Sequence, residues 1–114
     1  MSERGERADE RSSLSTHVLD AALGRPAAGV AVRLEKDGRV LAEGVTDADG
    51  RIKGWSCGPG VHRLVFDTGA YFAAREVDAF YPRVSIDFTV RDPGEHHHVP
   101  LLLSPFAYST YRGS

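Results

Sequence analysis

From Leu14 onward, apolar and polar positions alternate in short runs separated by turn residues, the pattern of an antiparallel sandwich or barrel. The clearest run is RVSIDFTVRD, in which Val84, Ile86, Phe88 and Val90 alternate with Arg83, Ser85, Asp87, Thr89 and Arg91. Successive side chains on a strand point to opposite faces, so such a segment buries one face and leaves the other in water. LSTHVLDAAL supplies a first strand and GRPAAG its exit. GVAVRLEK and RVLAEGVTD flank Asp37-Gly38, a dipeptide that accepts the positive φ angles a tight hairpin demands. DADGR makes the next turn. Asp47 and Asp49 can bond nearby amides, Gly50 takes the left-handed conformation, and Arg51 stands at the lip of the strand that follows.

VHRLVFDT alternates as a further strand, whereas GAYFAAREV breaks the pattern. Its alanines and the spacing of Tyr71, Phe72 and Arg75 predict about two turns of helix, the only helix expected in the domain. Tyr81-Pro82 returns the chain to an extended path, and Asp92-Pro93-Gly94 turns it into HHHVPLLLSPFAYSTYRGS. There the alternation sends His96 and His98 to one face and His97 to the other; Pro100 and Leu102 share the face of His98. After Ser104-Pro105, a last strand places Ser109 and Tyr111 on one face and Thr110 on the opposite one. His17 and Leu19 share a face of the first strand. A surface of His17, His98, Ser109 and Tyr111 therefore forms if these three strands lie in one sheet.

Length and charge narrow the reading. A chain of 114 residues is the size of one domain. Fourteen Lys and Arg against sixteen Asp and Glu give a formal charge of -2, so no basic field exists for nucleic acid. MSERGERADERSS mixes both charges with almost no apolar side chains, which predicts a disordered leader over 1–13 ahead of a domain over 14–114. The leader lacks the apolar centre of a secretory signal, no stretch has the length of a membrane span, and Arg-Gly-Ser is not a peroxisomal address; the cytoplasm is the expected location. Cys57 is the single cysteine and forms no intramolecular disulfide; beside Gly58, Pro59 and Gly60 it reads as an unreactive loop thiol.

The His-X-His of the tail supports three readings from residues alone: solvated or structural histidines, zinc ligands, or acid/base groups. DADG resembles the opening of a calcium loop but lacks the glutamate at the twelfth position, so it reads as a turn. Arg51 alone reads as a surface arginine and Trp55 as a packing residue. The chain has no GxSxG, P-loop or dinucleotide fingerprint. The residues thus give an all-β domain with a His and Arg cluster, either a hydrolase or a ligand-binding module.

Taken together, LSTHVLD, TDADGR, HHHVPLLLSP and the terminal YSTYRGS resemble the transthyretin-like 5-hydroxyisourate hydrolases over residues 14 to 114. TDADG alone occurs in several transthyretin-like modules. The terminal Tyr-Arg-Gly-Ser, with histidines at His17 and His98, separates the hydrolases from the hormone carrier. One departure is that the family has an aromatic residue, usually tyrosine, where this chain has His97; facing away from His98, it is expected to have little catalytic effect.

The resemblance implies a transthyretin-like sandwich of two four-stranded sheets with one short helix. It also implies a homotetramer, a dimer of dimers, whose central channel holds the sites. It implies hydrolysis of 5-hydroxyisourate to 2-oxo-4-hydroxy-4-carboxy-5-ureidoimidazoline in urate breakdown, with His17, Arg51 and His98 catalytic. His98 is the expected base, Arg51 favours its neutral form and holds the anionic substrate or its oxyanion, and His17 positions water or a ring oxygen. Tyr111, Arg112, Gly113 and Ser114 join His17 and Arg51 in binding the substrate, with Arg112 assigned to the terminal wall. No metal or cofactor is expected, and zinc on the histidines would be adventitious. The rival expectation is a non-enzymatic transthyretin-like carrier using the same channel for an aromatic ligand.

Overall fold

The computed structural model describes residues 11–92 and 94–114. Most of the expected leader, and Pro93 of the expected turn, lie outside the described residues. The alternating runs form nine strands: β1 (Ser12–Asp20), β2 (Arg25–Pro26), β3 (Ala31–Lys36), β4 (Arg39–Val45), β5 (Arg51–Cys57), β6 (Gly60–Phe66), β7 (Val84–Val90), β8 (His97–Ser104) and β9 (Ala107–Thr110). A single helix, α1 (Thr68–Ala73), joins β6 to β7 among the described residues. β1 starts earlier than the alternation from Leu14 suggests, because Ser12 and Ser13 already pair with Cys57 and Ser56.

The strands make two sheets. One has the order β4-β3-β6-β7. In the other, β1 pairs in parallel with β8, and β8 pairs antiparallel with β9. The second edge of β1 is shared, with β5 along Ser12–His17 and the two-residue β2 along Leu19–Asp20. This sheet therefore contains five segments but is four strands wide, which refines the expected count. In the β3–β4 hairpin, Asp37 and Gly38 have φ angles of 52° and 79°, as its two-residue turn requires.

The faces follow from parity. Leu14, Val18, Ile52, Val99, Leu101 and Leu103 point inward from the first sheet; Val32, Leu34, Leu64, Phe66, Val84, Ile86 and Val90 meet them from the second. Each large apolar side chain so buried contributes about 1.5–3 kcal/mol of transfer free energy. Trp55 packs on this core, as expected. Cys57 does too: it ends β5 fully buried rather than lying in a loop, and burial pushes its thiol up. No helix among the described residues is long and apolar enough to cross a membrane.

The helix is shorter than GAYFAAREV suggests. Glu76 takes a φ of 59°, its N–H donates to Ala73 O and the Val77 N–H to Phe72 O, the paired bonds that close a helix C-terminus and leave Arg75 beyond it. Arg75 instead lies over the Tyr71 ring at 3.8 Å. Tyr71 anchors the helix to the other sheet: its buried hydroxyl donates to Asp20 Oδ2 at 2.8 Å, while Asp20 Oδ1 accepts from the N–H groups of Ala22 and Leu23.

Burial, aided by Asp20, pushes the Tyr71 phenol up to about 12. Its folded pKa is raised, so the associated stability is present below the unfolded pKa and is lost as pH rises through about 12. Tyr71→Phe leaves the Asp20 carboxylate one donor short and is expected to lower stability by about 1.5–3 kcal/mol in urea denaturation. An unchanged midpoint would show that the pair carries no net stabilisation.

Candidate active site

The condition set by strand parity is met: β1, β8 and β9 share one sheet. On its outer face His17 stands opposite Arg51 of β5 and Pro100 of β8, and His98 stands opposite Ser15. His98 is half-buried, as are His17 and Arg51, whereas His97 is only 4% exposed and faces the core. His97 and His98 therefore occupy opposite faces, as the alternation requires. Leu102 faces outward opposite Ser109, which puts Ser109 on the same face.

Arg51 owes its placement to the turn before it. Asp47 Oδ1 accepts from the N–H groups of Asp49 and Arg51, both at 2.9 Å, and Gly50 takes a φ of 75° to complete the loop. The Arg51 amide bond is the main reason the Asp47 carboxyl is held below its ordinary range. DADG is thus a turn that delivers Arg51 to the start of β5.

The tail closes over His98 from the other side. The Gly113 N–H donates to the His98 carbonyl at 2.8 Å. A β-carbon on Gly113 would stand 2.5 Å from His98 Cδ2, so only glycine lets the backbone pass this close to the imidazole. Upstream, Thr110 Oγ1 donates to Pro100 O at 2.7 Å. Tyr111 and Arg112 line a cavity of ≈ 340 Å³ together with His97, His98 and Phe88. His17 and Arg51 are not on that lining. His98 lines this cavity and is also the residue on which the charge of Arg51 acts. Arg112 approaches Glu95 Oε1 at 3.3 Å, and Ser114 is exposed at the end of the chain.

The His98 pKa is lowered, first by burial and then by the charge of Arg51, with smaller Coulomb contributions from His17 and His96; a hydrogen bond to the Ser15 backbone acts the other way. The family likeness singles out Arg51 as the cause, and burial proves larger. Both favour the neutral ring that can accept a proton. The alternation singled out His96 but overlooked Ser13 and Ser15, which share the face of His17. Ser15 Oγ lies 2.7 Å from His98 Nδ1 and 3.2 Å from His96 Nε2, and Ser13 Oγ lies 2.6 Å from His96 Nδ1. Among the described residues, no three His, Cys, Asp or Glu side chains are grouped to hold a metal ion.

A two-sheet sandwich of this strand order, with two histidines and an arginine gathered on the outer face of one sheet, defines a transthyretin-type domain. Residues 14–113 match the HIUase/Transthyretin family, and the chain belongs to it. It is 49% identical over 109 residues to the 5-hydroxyisourate hydrolase of Salmonella dublin, covering 89% of this chain and 80% of that one. The solved 5-hydroxyisourate hydrolase of Klebsiella pneumoniae superposes with a TM-score of 0.85 at 42% identity, covering 90% of this chain and 99% of the other. Sea bream transthyretin, solved in complex with thyroxine, superposes with a TM-score of 0.81 at 34% identity, covering 88% and 93% of the two chains.

Arg51→Ala removes a cation that disfavours imidazolium. The His98 pKa, followed by NMR titration of its ring, is expected to rise in the variant. A value unchanged from the parent would show that Arg51 does not tune this ring.

Proposed function

We propose that this protein hydrolyses 5-hydroxyisourate to 2-oxo-4-hydroxy-4-carboxy-5-ureidoimidazoline, a step of urate degradation. The observation that carries the reading is the convergence of His17, Arg51 and a half-buried, neutral-favouring His98 on one face. Hydrolysis adds water to an electrophilic ring carbonyl, breaks the adjoining C–N bond and places a proton on the departing nitrogen. His98 takes the proton from water. Arg51 holds the anionic substrate and the oxyanion that develops, and His17 orients the water or a ring oxygen. Tyr111 and the backbone at Gly113 form the end wall, with Arg112 and Ser114 beside them.

The cavity that His98 lines is walled by the tail and not by His17 or Arg51, whereas small-molecule sites enclose their ligands. A second chain facing it would supply the missing wall. The proposed assembly is therefore a homotetramer, a dimer of dimers, whose central channel is lined by equivalent faces. A lone buried thiol suits a reducing compartment, and the cytoplasm is the proposed location.

The test is to generate 5-hydroxyisourate with urate oxidase and follow its ultraviolet absorbance. The purified protein is expected to hasten the decay above the spontaneous rate, and His98→Ala to lose at least about a hundredfold of that acceleration. No acceleration by the parent protein would leave the carrier reading in its place. Size-exclusion chromatography with light scattering is expected to give four chains per particle; a monomer would remove the shared channel.

A further inference from the structure

The four side chains Ser13, His96, Ser15 and His98 form one hydrogen-bonded line across the outer face of β1 and the start of β8. Its contacts measure 2.6 Å from Ser13 Oγ to His96 Nδ1, 3.2 Å from His96 Nε2 to Ser15 Oγ, and 2.7 Å from Ser15 Oγ to His98 Nδ1. The two imidazoles stand nearly parallel, 6.4 Å apart with an interplanar angle of 16°. One end is the half-buried His98; the other end, His96 and Ser13, is exposed to water.

We propose that Ser15 is a positioning residue that holds His98 as its Nδ1–H tautomer, and that Ser15 and His96 together carry the proton collected by His98 out to solvent. The inference rests on His98 being the base of the hydrolysis proposed above.

The donor count leads there. A serine hydroxyl has one proton to give and lone pairs to accept with, and a neutral imidazole has one N–H and one bare nitrogen. For His98 to accept a proton at Nε2, that nitrogen must be bare, so Nδ1 carries the hydrogen and donates it to Ser15 Oγ. Ser15 then donates its own hydrogen to His96 Nε2. His96 consequently carries its hydrogen on Nδ1 and donates it to Ser13 Oγ, whose hydroxyl is free to donate to water. Every group in the line is satisfied in one direction, and His98 Nε2 meets no protein hydrogen-bond partner among the described residues.

The same line moves charge without moving atoms far. When Nε2 takes a proton from the attacking water, the Nδ1 proton passes to Ser15 Oγ as the Ser15 proton passes to His96 Nε2. His98 gains one proton and loses one, Ser15 does likewise, and His96 becomes the cation. That charge leaves a half-buried position beside Arg51 and His17 and arrives where water solvates it. Reversal returns a proton to His98 for the departing nitrogen. The charged or titratable groups around His98 are His17 on β1, Arg51 on β5 and His96 ahead of β8, with Tyr111 and Arg112 of the tail and Asp87 and Arg91 lining the cavity on its other side. Glu95 is drawn to Arg112 rather than to the line.

The test compares Ser15→Ala, Ser15→Thr and His96→Gln with the parent protein, using both turnover of 5-hydroxyisourate and the ring ¹⁵N spectra of His98. Ser15→Ala is expected to lower kcat about ten- to a hundredfold with KM little changed, because a base in the wrong tautomer loses most of its worth. Ser15→Thr keeps the hydroxyl on a strand and is expected to restore kcat to within about threefold. His96→Gln keeps hydrogen-bonding capacity at that place but cannot hold the proton, so kcat falls while the tautomer of His98 stays. In the parent the spectra are expected to show Nδ1 protonated and Nε2 bare, and in Ser15→Ala a shift toward Nε2–H.

Parent spectra with Nε2–H would overturn the proposal, as would a Ser15→Ala enzyme with parental kcat, or a Ser15→Thr enzyme as slow as Ser15→Ala. Full activity in His96→Gln would remove the relay. If the parent protein fails to turn over the substrate at all, it is the hydrolase reading that falls, and the spectra still decide the tautomer.

Discussion

Everything at the site depends on the parallel pairing of β1 with β8. Seven residue pairs run from Leu14 with His97 to Asp20 with Leu103. The partners are some 83 residues apart in sequence, so this pairing bears much of the loop-closure entropy of the fold. What holds its register is the inner face. Leu14, Thr16 and Val18 on one strand and Val99, Leu101 and Leu103 on the other are all buried, and Thr16 Oγ1 donates to Val99 O at 2.6 Å. A slip of β8 by one residue would turn Val99, Leu101 and Leu103 to water and bring His98 into the core. The register that buries these six also sets Ser15 against His98 and His17 against Pro100, and β5 then needs only the DADG turn to bring Arg51 beside His17.

Partial burial of His98 disfavours its cation, and Arg51, with His17 and His96, disfavours it further. The Arg51 guanidinium also suits an anionic ligand. The proposed base is thus favoured in its proton-accepting form by burial and by a guanidinium that also suits the substrate proposed for it. Glu95, which could neutralise this cluster, is engaged by Arg112 on the tail. The close pass of Gly113 over His98 covers the ring without adding a further charge next to it.

Local pattern carried much of this to the reader of the sequence. RVSIDFTVRD alternates because one face of β7 meets the core, and Asp37-Gly38 marks the β3–β4 hairpin because few other residues accept two positive φ angles. The opposite facing of His97 and His98 follows from strand parity alone. What could not be read locally depends on partners far along the chain. The helix ends at Ala73 because Glu76 turns left-handed and the Phe72 and Ala73 carbonyls are capped, a choice the helix-favouring alanines conceal. Cys57 sits beside a glycine- and proline-rich turn, yet its pairing with Ser12 draws it into the core. Ser15 looks like an ordinary strand serine until the β1–β8 register places His98 opposite it. Parity could join His17 to His98 only on condition that their strands share a sheet, and the roles of His17, Arg51 and His98 came only through family likeness, since no spacing rule joins a first strand, a turn and a tail.

The histidines show why residue type alone could not settle the chemistry. His62 and His97 are both buried, on β6 and β8, and each has Nδ1 3.1 Å from a carbonyl two residues earlier. Burial holds the His62 ring below its ordinary pKa, stacked on Phe88 at 5.7 Å. Burial also lowers the pKa of His98, so a neutral ring is common to the core histidine and the proposed base. The difference is access: the Nε2 of His62 is buried with no partner among the described residues, whereas His98 stands at the water-facing side of its sheet. A tuned pKa without a path for water is only a packing outcome. Strand parity, by choosing the face, therefore decides which histidine can be a base before any neighbouring charge adjusts how good a base it is.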